Sequence, residues 1–254
     1  MILTLVLLAI GALLFVVIAY NVVQQYKQKA EADKRRAVAQ YKAVVDETEE
    51  VLLHVNLVPF SKNMVLILQN RVLDAYRAIA SVLPSNQLKQ RIADIQTQIK
   101  NVQDNYSAQD EGHFKTPESD RHALQMLQLV KRMRAVLRVE QNKGKIDPQG
   151  FAKEDRRLEL MQLKINVANL LKKAGEAQVD GQLGTCRQLL TKGLTTLSSL
   201  ADKDPYLLSR EEEFRSGLAS LDALQQQNNA QDIQTMKDKE ANDLDLLFQP
   251  KKKW

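Results

Sequence analysis

The chain has 254 residues, 44% hydrophobic, 26% charged and 5% aromatic, with a formal net charge of +5. Glycine and proline are scarce, and Cys186 is the single cysteine, which excludes an intrachain disulfide and suits a reducing compartment. Such a composition favours helical bundles, and no alternating Val/Ile/Thr/Tyr runs with hairpin turns point to strands.

Met1 to Val23 carry no ionisable side chain. A helix needs about twenty such residues to cross a bilayer, so a single transmembrane span is expected over 1–23. A cleaved signal peptide fits less well, because no Lys or Arg precedes the run and no Ala-x-Ala ends it. Lys27, Lys29, Lys34, Arg35 and Arg36 follow directly. Positive charge beside a span stays inside. The expected address is therefore the inner (plasma) membrane, single-pass, with the N-terminus outside and the body cytoplasmic.

The helix is expected to continue through a juxtamembrane segment, 24–58. Val23, Tyr26, Ala30, Ala37, Val44, Thr48, Val51 and Val55 keep a 3/4 spacing, with Asp33 and Gln40 as weak positions, which reads either as a stalk packing on the body or as a coiled coil that makes a homo-oligomer. A helical bundle is then expected over 59–228, punctuated by Pro59, Pro84, Pro117, Pro148 and Pro205. Ser61 is a candidate N-cap for a helix to Leu83 with the stripe Val65, Leu68, Val72, Tyr76 and Ile79. Asn86 to Tyr106 carries a narrower seam, Leu88, Ile92, Ile95, Ile99 and Val102.

Ser107 to Thr116 reads as a loop. The next helix opens near Thr116–Asp120, buries Ala123, Met126, Leu127, Val130, Met133 and Leu137, and ends at Gly144 in the left-handed C′ position. Asp147-Pro148 starts a helix to about Ala174 with two adjacent apolar stripes. Asp180-Gly181 turns the chain into a seam of Cys186, Leu190, Gly193, Leu197 and Leu200. Asp204-Pro205 starts the last long helix, and the run Gln225–Asn229 is expected to fray into a flexible tail, 229–254. The pair of helices from about Lys164 to Lys203 has the length of one tetratricopeptide unit. It lacks that family's aromatic positions and any repeat, so an ordinary helix pair is the reading.

Few residues suggest chemistry. No Gly-rich phosphate loop, nucleophile elbow or His/Cys pair is present, so no catalytic residue, cofactor or enzyme activity is expected. Asp110, Glu111, His113, Asp120 and His122 lie close together but lack the spacing that puts metal ligands on one helix face, so no metal is assigned.

Two segments could bind something. The stretch 115–145 is basic, and Lys131, Arg132, Arg134 and Arg138 are candidates for an anionic surface; a face paired with acids of a neighbouring helix is the plainer reading. At the C-terminus, Leu244, Leu246, Leu247, Phe248 and Trp254 form a candidate docking motif, with Lys251, Lys252 and Lys253 as a further anionic-surface contact. Alternatively this motif packs on the protein's own bundle. The expected function is a non-enzymatic, membrane-tethered scaffold or adaptor that presents its bundle and docking peptide to a protein partner, with the lipid bilayer as the other partner. The alternative is a membrane-associated nucleic-acid-binding factor using 115–145; it is the weaker one, because no stacking aromatics interleave the cations.

Overall fold

The computed structural model describes residues 2–106, 115–200 and 202–248, with side chains from Val17 onward and, at the far end, up to Lys237 together with Lys239. The described residues are all-α, as their composition implies. Seven helices follow in order: α1 (Ile2–Leu53), α2 (Lys62–Val82), α3 (Asn86–Asn105), α4 (Asp120–Asn142), α5 (Pro148–Val179), α6 (Leu183–Ser198) and α7 (Pro205–Phe248).

The helix boundaries follow local chemistry. Ser61 adopts an extended backbone and its hydroxyl accepts the Met64 N–H at 2.9 Å, closing the start of α2. Proline occupies the first position of α5 and of α7, where its missing N–H costs nothing. Gly144 and Gly181 have φ of 72° and 73°. The amide after each glycine reaches back five residues, Lys145 to Glu140 at 3.1 Å and Gln182 to Ala177 at 2.8 Å. These are Schellman ends, which need a residue in the left-handed region.

The helices sort into two compact units. Unit 1 comprises 1–114 and 129–158; unit 2 comprises 115–128 and 159–254. In unit 1, α2 packs against α1 and α3 around Val45, Val72, Leu73, Ala75, Ile95 and Ile99. In α3 only Ile95 and Ile99 are fully buried, as its narrow seam implies. In unit 2, α6 packs against α7 around Val167, Cys186, Leu190, Leu197, Leu207 and Phe214. Gly193 permits the close approach, because a Cβ there would lie 2.2 Å from Phe214 Cζ. The buried positions Leu207, Phe214 and Leu221 recur every seven residues along α7. The next step of that repeat is Asn228, polar and exposed, and the core stops.

The membrane address is corrected. Among the described residues no helix is long and apolar enough to cross a membrane, which does not fit a single-pass transmembrane protein with an outside N-terminus and a cytoplasmic body. The physical reason lies in α1. The segment with described side chains offers only Val17–Tyr26 before Lys27, Lys29, Glu31 and Asp33 follow, about half of what a span needs. The side chains of 1–16, on which the rest of that expectation falls, lie outside the described residues.

α7 also differs from expectation, since the run Gln225–Asn229 continues as helix to Phe248. Between Gly217 and Pro250 there is neither glycine nor proline, so nothing in the backbone interrupts it.

Candidate functional site

Of the basic stretch 115–145, residues 115–128 belong to unit 2 and 129–145 to unit 1, and most of the charge of 129–145 is met within unit 1. Arg132 Nη1 stands 2.6 Å from Glu50 Oε1 of α1. Arg134 makes a forked pair with Asp155 of α5, Nε to Oδ1 at 2.8 Å and Nη2 to Oδ2 at 2.9 Å. Lys143 reaches Glu140 at 2.7 Å, and Lys145 contacts Asp74 of α2. The pairing shows in the acids. Hydrogen bonding from Arg132 holds the Glu50 carboxyl below its ordinary value, and Arg134 does the same for Asp155 against the opposing effect of burial. Lys131 and Arg138 are exposed, and Arg138 adds its field to Asp155.

Beneath this surface Arg71 of α2 is buried among polar partners. Its Nε donates to Thr48 Oγ1, Nη1 to Glu140 Oε1 and Nη2 to Glu47 Oε2, each at 3.1 Å. The group joins α1, α2 and α4, and each guanidinium nitrogen has an acceptor, which is what a buried charge requires.

The expected α1 seam divides. Thr48 and Val51 are buried and Val44 is half-buried within unit 1, while Val23, Tyr26 and Ala30 remain exposed. The lower half of that seam is thus occupied by the protein's own helices.

The expected docking motif extends beyond what can be described. Leu244, Leu246, Leu247 and Phe248 lie within the range of α7, but their side chains, together with Lys251, Lys252, Lys253 and Trp254, lie outside the described residues. Just before them α7 is exposed on every side from Asp222 to Lys237. Within it Ile233 and Met236 keep 55% and 66% of their surface in solvent. Counted from Ile233, Met236, Leu244 and Leu247 stand 3, 11 and 14 residues on. At 3.6 residues per turn these four positions fall within an arc of about 80°. Sequence reading missed the first half of this row by treating the Gln/Asn run as a helix end; the missing glycine and proline were the available signal.

Asp110, Glu111 and His113 lie outside the described residues, and His122 Nδ1 accepts the Glu118 backbone N–H at 3.3 Å. Cys186 is buried in the core of unit 2, which pushes its thiol pKa up. No family model matches the chain, and no curated protein or solved structure matches it either.

Proposed function

We propose that the chain is a non-enzymatic adaptor that holds a protein partner through the second half of α7. The observation that carries this reading is the exposure of Ile233 and Met236 on a helix that has already left its own core at Leu221. Exposed apolar side chains on one helix face are favourable only when something covers them. An amphipathic helix docks by laying such a face into an apolar groove. The partner is therefore a protein with an apolar groove. Its rim is basic, because Asp232, Asp238, Glu240, Asp243 and Asp245 outnumber Lys237 and Lys239 along the segment.

The nucleic-acid reading draws less support, since Arg132, Arg134, Lys143 and Lys145 each meet a carboxylate of their own unit. A free phosphate would have to displace those acids.

The test compares the full chain with the double variant Ile233→Asp, Met236→Asp. A protein captured by the full chain is purified and recombined with each form. The expected result is a defined complex with the full chain, none with the variant, and equal melting temperatures for the two chains alone. Equal binding by both forms overturns the proposal. So does a clear fall in the variant's melting temperature, which would assign the stripe to the protein's own core.

A further inference from the structure

Two stretches of helix stand outside the buried clusters. In α1, residues 17–36 are exposed except for half-buried Gln24. Val22, Val23 and Tyr26 keep 43%, 52% and 71% of their surface in solvent. In α7, every residue from Asp222 to Lys237 is exposed. A helix without tertiary packing is marginal, so each stretch gains from a partner.

Their charges are opposite. Between residues 17 and 44, Lys27, Lys29, Lys34, Arg35, Arg36 and Lys42 oppose only Glu31 and Asp33. Between 222 and 248, six acids oppose only Lys237 and Lys239. Six charges of one sign against two of the other leave +4 on the first stretch and −4 on the second. Pairing either stretch with its own copy would bring like charges together. A parallel α1 pair in register would also set Asp33 against Asp33.

Their spacing matches too. Along α1, the row Val23, Tyr26, Ala30, Asp33, Ala37 and Gln40 steps by three and four residues in turn. That repeat keeps a seam on one helix face. Along α7, the row Ala230, Ile233, Lys237, Glu240, Leu244 and Leu247 keeps the same alternation. With one helix reversed, the rows coincide layer by layer. Asp33, the acid of the first row, falls opposite Lys237, the base of the second. Ala37 falls opposite Ile233, so a small residue receives a large one. Positions 244 and 247, both leucine, fall opposite Tyr26 and Val23. Position 240, a glutamate, falls opposite Ala30 and beside Lys29. The parallel alignment of the same rows sets position 240 against Asp33, two acids together.

We propose that the exposed end of α7 docks antiparallel on the exposed stretch of α1 in a second copy of the chain. Two such contacts, one in each direction, close a symmetric dimer. The Asp33–Lys237 layer fixes the register, as single polar layers do in helix pairs. This inference rests on reading α7 as a docking helix and names the surface on which it docks. The contact is small, so dilution returns the single chains on which melting and hydrogen exchange are read.

Sedimentation of the full chain over a concentration series tests this. The chain should pass from monomer to dimer as concentration rises. Asp33→Lys and Lys237→Asp, both at exposed positions, should each raise the dimer's dissociation constant at least about tenfold. Mixed in equal amounts, the two variants should regain the dimer, because each contact between unlike variants joins opposite charges again. A contact made within one chain would gain nothing from mixing. A full chain that stays monomeric, a dimer that neither variant weakens, or variants that mixing does not rescue overturns the inference. If a monomeric full chain still binds another protein, and Ile233→Asp with Met236→Asp abolishes that binding, this inference fails while the α7 reading stands.

Discussion

At the scale of single residues, the most exacting position is Gly193. Its hydrogen faces the Phe214 ring so closely that a methyl group would overlap three ring carbons. Gly193→Ala gains helix propensity, but overpacking costs more, about 1–3 kcal/mol. Chemical denaturation should show this loss, and Phe214→Leu in the same chain should return part of it, giving a coupling that separate sites do not show. Arg134 and Asp155 make a different kind of prediction. Arg134 keeps the Asp155 carboxyl below its ordinary value, so the folded state holds that proton less tightly than the unfolded chain does. The stabilisation is complete above the unfolded carboxylate value of about 4 and is lost as pH falls through the lower folded value. Arg134→Met should cost about 1 kcal/mol at neutral pH for this partly exposed pair. Urea midpoints in strong acid should show that difference gone; an equal loss at both pH values would assign the effect to packing.

At the scale of elements, α7 does two things with one backbone. Up to Leu221 it is a packed helix, and from Asp222 to Lys237 every residue is exposed. Helices of this kind are marginal when nothing packs on them. Removing 229–254 should leave the melting temperature of the remainder unchanged, and in the full chain amides beyond Asn228 should exchange with solvent much faster than those near Phe214. A cooperative loss of stability on truncation would show that the segment packs somewhere. Much of the helix order was legible, because Ser61, Pro148, Pro205, Gly144 and Gly181 state local backbone rules. The length of α7 is not legible from polarity, because the Gln225–Asn229 run resembles a helix end while the backbone carries no breaker. The partners of Arg132 and Lys145 could not be read at all: Glu50 and Asp74 are far away in sequence, and no local pattern announces them. The bond between Ser61 and Glu154 is equally silent, since the two stand 93 residues apart.

At the scale of the whole molecule, each unit carries a buried cluster, and Cys186 belongs to that of unit 2. Its thiol is buried and its pKa raised, so it is a poor nucleophile in the folded state. Alkylation at mildly alkaline pH should be slow in buffer and should accelerate with denaturant only where unit 2 opens. Comparison with the loss of helix circular dichroism tells whether the units open together. Coincident midpoints mean one cooperative transition, and an earlier thiol midpoint means that unit 2 opens first.

The division of the chain also has a consequence for its synthesis. Each unit is assembled from two stretches that alternate along the polypeptide. A ribosome delivers residues in order, at about 5–20 per second. Unit 1 is completed only when 129–158 follow its first stretch, and the short segment 115–128 must wait longer, until the part of α7 that carries Phe214 and Leu221 has emerged. During that interval, on the order of ten seconds, Met126 has only part of the later residues that complete its unit. The nascent chain passes through a stage in which neither unit is complete, and that is when it most needs protection from its neighbours.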